Sequence, residues 1–244
     1  MPTVGLEGSH LTDWSGEAFR LIPSRFPPVN VYEGLIANDR QEDLVAAENL
    51  TNPRLKSLER LSSAATGDAG ADPRLQNWNL APFAYGNPDG SLFFGEDRAC
   101  LEVATERQTA LAVSVARRQA FMEATSEAPI GLDMRMLCTP VSGVFWDLRG
   151  VSNFPARLPM KDRRELGALM PSEAQGILYR PRERPTGTCI AIVTGDVLQR
   201  SQQAVHFRYV WDGRSIALLY AFDQRGTPIN AEALASEEDI LAAA

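Results

Sequence analysis

Two arginines, Arg20 and Arg25, stand in a short apolar segment near the start of the chain, Phe19–Asn30. Pro27 and Pro28 stop this segment from continuing as a helix. A planar guanidinium group binds an anion such as a phosphate through two parallel hydrogen bonds, so both arginines are candidates for an anion site. The more common alternative is a structural salt bridge, or a stem that packs on apolar neighbours while its charge reaches water.

The other residues that could do chemistry form no established catalytic motif. The sequence contains no Walker loop, no dinucleotide fingerprint and no nucleophile elbow. Its only histidines are His10 and His206, and its three cysteines are not clustered, so no metal site is expected. A proline-rich loop carries Arg180, Arg182 and Arg184. It could receive a phosphate or an acidic partner, although a solvated loop is the more common structure for such a pattern.

Composition limits the class of protein. Of the 244 residues, 44% are hydrophobic and 23% are charged, as in an ordinary globular protein. The formal net charge of −7 argues against direct nucleic-acid binding through a broad basic surface. There is no run long enough to cross a bilayer and no signal-peptide pattern, and the scattered cysteines indicate reduced thiols. We therefore expect a cytoplasmic protein without a membrane segment.

Strands and helices are predicted in irregular alternation. Helices are expected over Asp39–Leu50, from Thr105 to about Ala124 with a capping box of Thr105 and Gln108, and over Asp162–Met170. Strands are expected over Ala99–Ala104, Leu132–Cys138, Gly176–Tyr179 and Thr188–Val193, and a hairpin over Val205–Phe222 turning at Asp212-Gly213. The segment Tyr85–Ser91 is expected to form turns, and Ser62–Asp72 a loop.

This mixture predicts the fold class. Because the elements do not follow a strict β-α-β alternation, an α+β domain is favoured over a doubly wound parallel sheet. We expect a single domain with a mixed β-sheet and surrounding helices over residues 15–225. Residues 1–14 would be an N-terminal extension, and residues 226–244 a tail or peripheral helix.

Seven short motifs, in order and with matching spacing from about residue 15 to about residue 220, resemble the RES-domain family. They are Phe19–Asn30, Asn49–Arg54, Asn87–Ser91, Leu132–Arg135, Asp147–Gly150, Gly176–Tyr179 and Tyr209–Gly213. The resemblance implies a fold like that of ADP-ribosyltransferases, with a cleft for NAD. It also implies kinship with bacterial toxins that are paired with a helix-turn-helix antitoxin and that release nicotinamide from NAD by hydrolysis or phosphorolysis.

The family is named for an arginine, a glutamate and a serine, and the resemblance assigns these roles to positions of this chain. Arginines hold the pyrophosphate, an aromatic residue lines the nicotinamide site, and the glutamate acts on the ribose side. Arg20 matches the first arginine, whereas Val113 stands in the place of the glutamate and Pro181 in the place of the serine. Leu92 and Glu183 stand where the family has further arginines. The expected ligand-binding residues are Arg20, Arg25, Leu92, Leu101 and Tyr179.

The motifs of the scaffold are therefore kept while most of the chemical ones are replaced. Cleavage of an N-glycosidic bond builds positive charge on the ribose, which a valine cannot stabilise. We predict that no catalytic set is intact, that NAD turnover is weak or lost, and that the protein acts by binding or regulation. No cofactor is required, and NAD would be a substrate or a ligand.

Two alternatives stay open at this point. Glu102 or Glu106 could supply the carboxylate from a shifted position, which would make the protein an active NAD glycohydrolase or phosphorylase. The chain could also serve as an interaction partner in a toxin–antitoxin or effector complex. Its partner would then be a helix-turn-helix antitoxin, another protein or further copies of itself.

Overall fold

A computed structural model describes residues 6–24, 81–83, 87–152, 154–222 and 226–241. Strands β1 to β8 span His10–Pro23, Leu101–Ala104, Ile130–Asp147, Gly176–Tyr179, Cys189–Ile192, Gln202–Trp211, Ile216–Ala221 and Pro228–Asn230. Helices α1 and α2 span Arg107–Thr125 and Met160–Ala168. The predicted helix Asp39–Leu50, the loop Ser62–Asp72 and Arg25 lie outside the described residues. Together these elements form one mixed sheet with helices packed against it, which agrees with the predicted α+β class.

Five of the eight strands close into a ring. The strand order is β1-β2-β5-β4-β3-β6-β7-β8, and β1 also pairs with β3 along its whole length, from His10 opposite Asp147 to Pro23 opposite Met134. Each of the five strands contributes to one apolar cluster: Ala18, Leu101, Val103, Val141, Phe145, Leu178, Ile190 and Ile192. Because alternate residues of a strand point to opposite faces, this cluster fills the inside of the ring.

The outer face of the ring carries the larger core and the helix α1. Leu111, Val115 and Met122 of α1 pack in one cluster with Ala104 of β2 and Ala191 of β5. Alternation along β2 therefore sends Leu101 and Val103 inward and the intervening Glu102 outward, towards α1. This places an ionisable side chain between a strand of the ring and the helix that covers it.

The predicted capping box is wrong. Helix α1 begins at Arg107 after an N-cap residue, Glu106, whose side chain caps no backbone N–H of the helix. Gln108 is buried and its amide instead donates hydrogen bonds to three backbone carbonyls of the C-terminal segment, those of Leu234, Ser236 and Glu238. These bonds outweigh one local cap, because the buried Leu234 carbonyl would otherwise lose its bond to water without a replacement from the described residues.

The sheet crosses both of the domain boundaries proposed from the sequence. Strand β1 begins at His10, inside the segment 1–14, and β8 lies inside the segment 226–244. A short 3-10 turn, Glu232–Ala235, follows β8. These end segments are thus tied to the sheet by backbone pairing over residues 10–14 and 228–230.

The β6–β7 hairpin turns at Asp212 and Gly213, as predicted, and the Gly213 backbone has a φ of 100°. Side chains with a Cβ rarely adopt that conformation, so Gly213→Ala is expected to lower the free energy of unfolding by about 1 kcal/mol. Urea denaturation followed by circular dichroism measures this loss. Arg214→Ala, at the exposed neighbouring position, is the control and should change stability by less than about 0.5 kcal/mol. Equal stability of the two variants would contradict the prediction.

Candidate functional site

A cavity of about 760 Å³ lies between α1, the end of β1, β2 and the segment before β2. The helix contributes one stripe of residues at helical spacing: Ala110, Val113, Ser114, Arg117, Arg118 and Phe121. The turn at Asn87–Ser91 forms part of the opposite wall. That turn is held as the sequence predicts, because the Asn87 side chain bonds to the Asp89 amide and to the Gly90 carbonyl.

The cavity is positively charged although the chain as a whole is acidic. Four arginines line it, Arg20 from β1, Arg98 from the segment before β2, and Arg117 and Arg118 from α1. Among the described lining residues, Glu102 is the only carboxylate. A chain with a net charge of −7 has therefore concentrated cations at this concave place. Walls of low polarity strengthen the attraction of such a cluster for an anion.

Arg20 is the more deeply desolvated of two lining arginines that have no hydrogen-bond, ion-pair or ring-stacking partner among the described residues. No described residue forms a hydrogen bond or an ion pair with its guanidinium group. Desolvation lowers the pKa of Arg20 to about 10, so the group is still charged at neutral pH. A desolvated charge without a compensating partner costs free energy, which a bound anion would recover.

The remaining arginines differ in how firmly they are held. Burial lowers the pKa of Arg118, whose guanidinium forms no hydrogen bond or ion pair with another described residue. Arg98 stacks over the ring of Phe94, with its guanidinium carbon 4.9 Å from the ring centre. No described residue accepts a hydrogen bond from the Arg98 guanidinium, so its N–H groups are available to a ligand.

Both carboxylate oxygens of Glu102 are occupied. Oε1 accepts a hydrogen bond of 3.0 Å from the Leu92 amide, and Oε2 accepts one from the Arg117 guanidinium. The Leu92 carbonyl in turn accepts a 3.1 Å bond from Arg163. Leu92 is thus fixed through its backbone on both sides, and Glu102 positions the cavity wall as well as contributing a charge to it.

The buried end of the cavity holds neutral groups. Tyr179 is 2% exposed and packs edge-on against Phe93, with the ring centres 5.0 Å apart. Burial raises the pKa of Tyr179 well above its usual value, and it raises those of Cys100 and Cys189 to about 12. The two thiols are therefore protonated at neutral pH and unsuited to act as nucleophiles.

The structure brings most of the predicted site residues together. Arg20, Leu92, Leu101, Glu102, Val113 and Tyr179 all line the cavity. Pro181 is buried but is not among the lining residues, and Arg25 lies outside the described part of the chain. Glu106 is not among the lining residues either, and its Oε2 accepts hydrogen bonds from the Thr109 hydroxyl and the Thr188 amide. Of the two carboxylates considered as substitutes, the structure thus places Glu102 in the cavity.

Sequence reasoning missed three of the four arginines. Arg117 lies four residues after Val113 and Arg118 four after Ser114, so the helix that was predicted here already implied that these residues share a face. Arg98 had no such signal, because it lies in an irregular segment and reaches the cavity only through the tertiary fold.

Comparison with known proteins identifies the family. A family model described as the RES domain matches residues 70–212. The chain belongs to the RES-domain family. It is also 57% identical over 226 residues to a Sinorhizobium fredii (strain NBRC 101917 / NGR234) protein named "Uncharacterized protein y4oC", a match that covers 93% of this chain and 96% of that protein. The resemblance inferred from the seven motifs is thereby confirmed.

Two further observations concern the described residues of this RES-domain protein. None of its described helices has the length and apolar character needed to cross a bilayer. No group of three or more described His, Cys, Asp or Glu side chains is arranged to hold a metal ion. The expected antitoxin, other protein partner or self-association stays a prediction.

Proposed function

We propose that this RES-domain protein binds NAD or a related nucleotide diphosphate in the arginine-lined cavity and turns NAD over weakly or not at all. Its biological role would be binding or regulation, related to the toxin–antitoxin systems in which the family occurs. The ADP-ribosyltransferase-like cleft that the resemblance implies would correspond to the space between α1 and the strand ring.

The observation that carries the proposal is the unpartnered Arg20 guanidinium on the wall of a large cavity. A diphosphate offers two negatively charged phosphate groups, whose oxygen atoms the planar guanidinium fork binds through two parallel hydrogen bonds. Arg118 lines the same cavity, so a second unpaired cation is available to the same anion. A volume of about 760 Å³ is within the usual range for small-molecule sites.

Weak turnover follows from the side chains that surround the proposed ligand. Val113 lines the cavity at the family's glutamate position and offers no charge to a developing oxocarbenium ion. The carboxylate that is present, Glu102, is already bonded to the Leu92 amide and to Arg117. A neutralised carboxylate stabilises a nearby positive charge less than a free one does.

The position of Glu102 also supports a second candidate, an active NAD glycohydrolase or phosphorylase. In that reaction the bond between ribose C1′ and the pyridine nitrogen breaks, and nicotinamide leaves with the bonding electron pair. Water or phosphate oxygen then bonds to C1′, and a water nucleophile gives up its proton. Glu102 would stabilise the cationic ribose or accept that proton, provided that Arg117 moves away from it.

Nicotinamide release from NAD by wild type and Glu102→Gln separates the two candidates. If turnover is incidental, the already slow release should change by less than about threefold, because Glu102 takes no part in bond cleavage. A loss of about 100-fold or more is typical of removing a catalytic carboxylate and would favour the second candidate. Chromatography of the products measures both rates, and thermal unfolding checks that the variant is folded.

Binding itself needs a separate measurement. Isothermal titration of wild-type protein with NAD and with ADP-ribose should detect an association at low salt. Absence of any association with either ligand would refute the proposed function. Copurification with a helix-turn-helix protein encoded beside it would support the proposed regulatory role.

A further inference from the structure

The charges of the cavity lining bear on which nucleotide the site prefers. We infer that the cavity selects its ligand by charge and favours ADP-ribose and NADH over NAD⁺. This inference rests on the proposed function, since it assumes that a nucleotide diphosphate enters the cavity. The three ligands share the ADP-ribose group. NAD⁺ differs from the other two by a cationic pyridinium ring, which NADH carries in reduced, uncharged form.

The charges of the cavity lining are balanced to different degrees by the three ligands. Four guanidinium groups and one carboxylate belong to the described lining, which leaves an excess of three positive charges. The diphosphate of any of the three ligands supplies two negative charges. ADP-ribose and NADH therefore neutralise more of this excess than NAD⁺, whose pyridinium cancels one of the two.

The Glu102 carboxylate is already engaged in hydrogen bonds with the protein. A pyridinium cation would be stabilised by a free carboxylate, but Glu102 is bonded to Arg117 and to the Leu92 amide. Its side chain is 10% exposed, whereas that of Arg117 is 54% exposed. A ligand approaching from the open side of the cavity thus meets the cation of this pair more readily than the anion.

The repulsion between the pyridinium ring and the arginines is large enough to change the affinity measurably. At the dielectric of a protein surface, one extra positive charge roughly 8 Å from an unpaired guanidinium weakens binding by about 30-fold, and screening by dilute salt reduces this to about tenfold. The rings of Phe19 and Phe121 also line the cavity and could attract a cation through their faces. That attraction is smaller for an exposed ring, and Phe121 is 57% exposed, whereas the buried Phe19 ring already lies under the Arg107 guanidinium, 5.5 Å from the ring centre. The repulsion from the arginines should therefore decide the preference.

The test is isothermal titration of the full chain with ADP-ribose, NADH and NAD⁺ in the same low-salt buffer. ADP-ribose and NADH are expected to bind about tenfold more tightly than NAD⁺, and higher salt should reduce the difference. NADH is the decisive comparison because it matches NAD⁺ in size and shape. Equal affinities, or tighter binding of NAD⁺, would overturn the inference while leaving the proposed function standing. Binding of none of the three would overturn both.

Two variants of one contact extend the test. Arg117→Gln removes a cation and frees Glu102, so the preference for NADH over NAD⁺ should shrink to about threefold or less. Glu102→Gln removes the carboxylate and should widen the preference beyond tenfold. Arg214→Gln, in the exposed turn of the β6–β7 hairpin, is the control and should leave the ratio unchanged. If Arg117→Gln and Arg214→Gln give the same ratio as wild type, the charges of the cavity do not select the ligand.

Discussion

Replacement of Arg20 by methionine is expected to weaken ADP-ribose binding by about 100-fold without lowering the stability of the protein. The loss of affinity corresponds to about 2.7 kcal/mol, the range for charge-assisted hydrogen bonds between a guanidinium and a diphosphate. Stability should stay level or rise, because Arg20 is desolvated and forms no bond to any described residue. Removing it relieves a desolvation cost and leaves no described partner unsatisfied.

Arg163→Met is the matched control for this prediction. Arg163 is another partly buried arginine, but its guanidinium donates to the backbone carbonyls of Leu92, Ala156 and Leu158. Its replacement should therefore lower the unfolding midpoint, whereas Arg20→Met should not. Calorimetric titration and thermal unfolding of both variants give the two readouts. If Arg20→Met unfolds as readily as Arg163→Met and still binds ADP-ribose, Arg20 is a structural residue after all.

Replacement of Arg184 by methionine is expected to lower the free energy of unfolding by about 3 kcal/mol. The Arg184 side chain is buried and donates to the carbonyl of Ser236 at 3.1 Å and to the Thr109 hydroxyl at 2.9 Å. It also lies 3.9 Å from the Glu106 carboxylate. Methionine fills similar space but leaves the Thr109 hydroxyl without this donor, and the Ser236 carbonyl keeps the longer bond from Gln108, in a place that water reaches poorly.

Arg182→Met separates this effect from a general cost of losing charge in the same loop. Arg182 is exposed and pairs with its neighbour Glu183, so its loss should cost less than about 0.5 kcal/mol. Urea denaturation measures both variants. A second readout is limited proteolysis, in which Arg184→Met should expose the C-terminal segment to cleavage earlier than wild type does. Equal stability of the two variants would show that the Arg184 contacts do not hold that segment.

Local patterns predicted those elements that depend on local chemistry. Strand β4 was predicted with its bounds, Gly176–Tyr179, because a short apolar run stands between breakers. The hairpin turn was predicted because Asp212-Gly213 suits that backbone, and the Asp212 carboxylate accepts hydrogen bonds from the Arg214 and Ser215 amides. Helix α1 was found from its apolar spacing, although its first turn was misread.

Features that depend on distant partners were missed or misread. Strand β1 mixes polar and apolar residues over His10–Pro23, and its extended form depends on pairing with β3 more than 110 residues away. The solvated-loop interpretation is wrong for Arg184, because its partners at Ser236 and Glu237 come from the far end of the chain. A side chain that is buried by a distant segment looks the same in sequence as one that is solvated.

The residues of the candidate site also fall into two groups, those that sequence patterns predicted and those that only the tertiary structure revealed. The sequence alone determined the family, through seven ordered motifs, and it singled out Arg20 and predicted that Val113 stands in the place of the family's glutamate. Only the tertiary structure decided that Glu102 lines the cavity while Glu106 does not, and that Arg98, Arg117 and Arg118 join Arg20 there. The physical reason is that motifs record residue type and spacing along the chain. The charge balance in a cavity depends on which face of a strand packs against which face of a helix. That packing is determined by the closure of the strand ring and by the position of the helix on it.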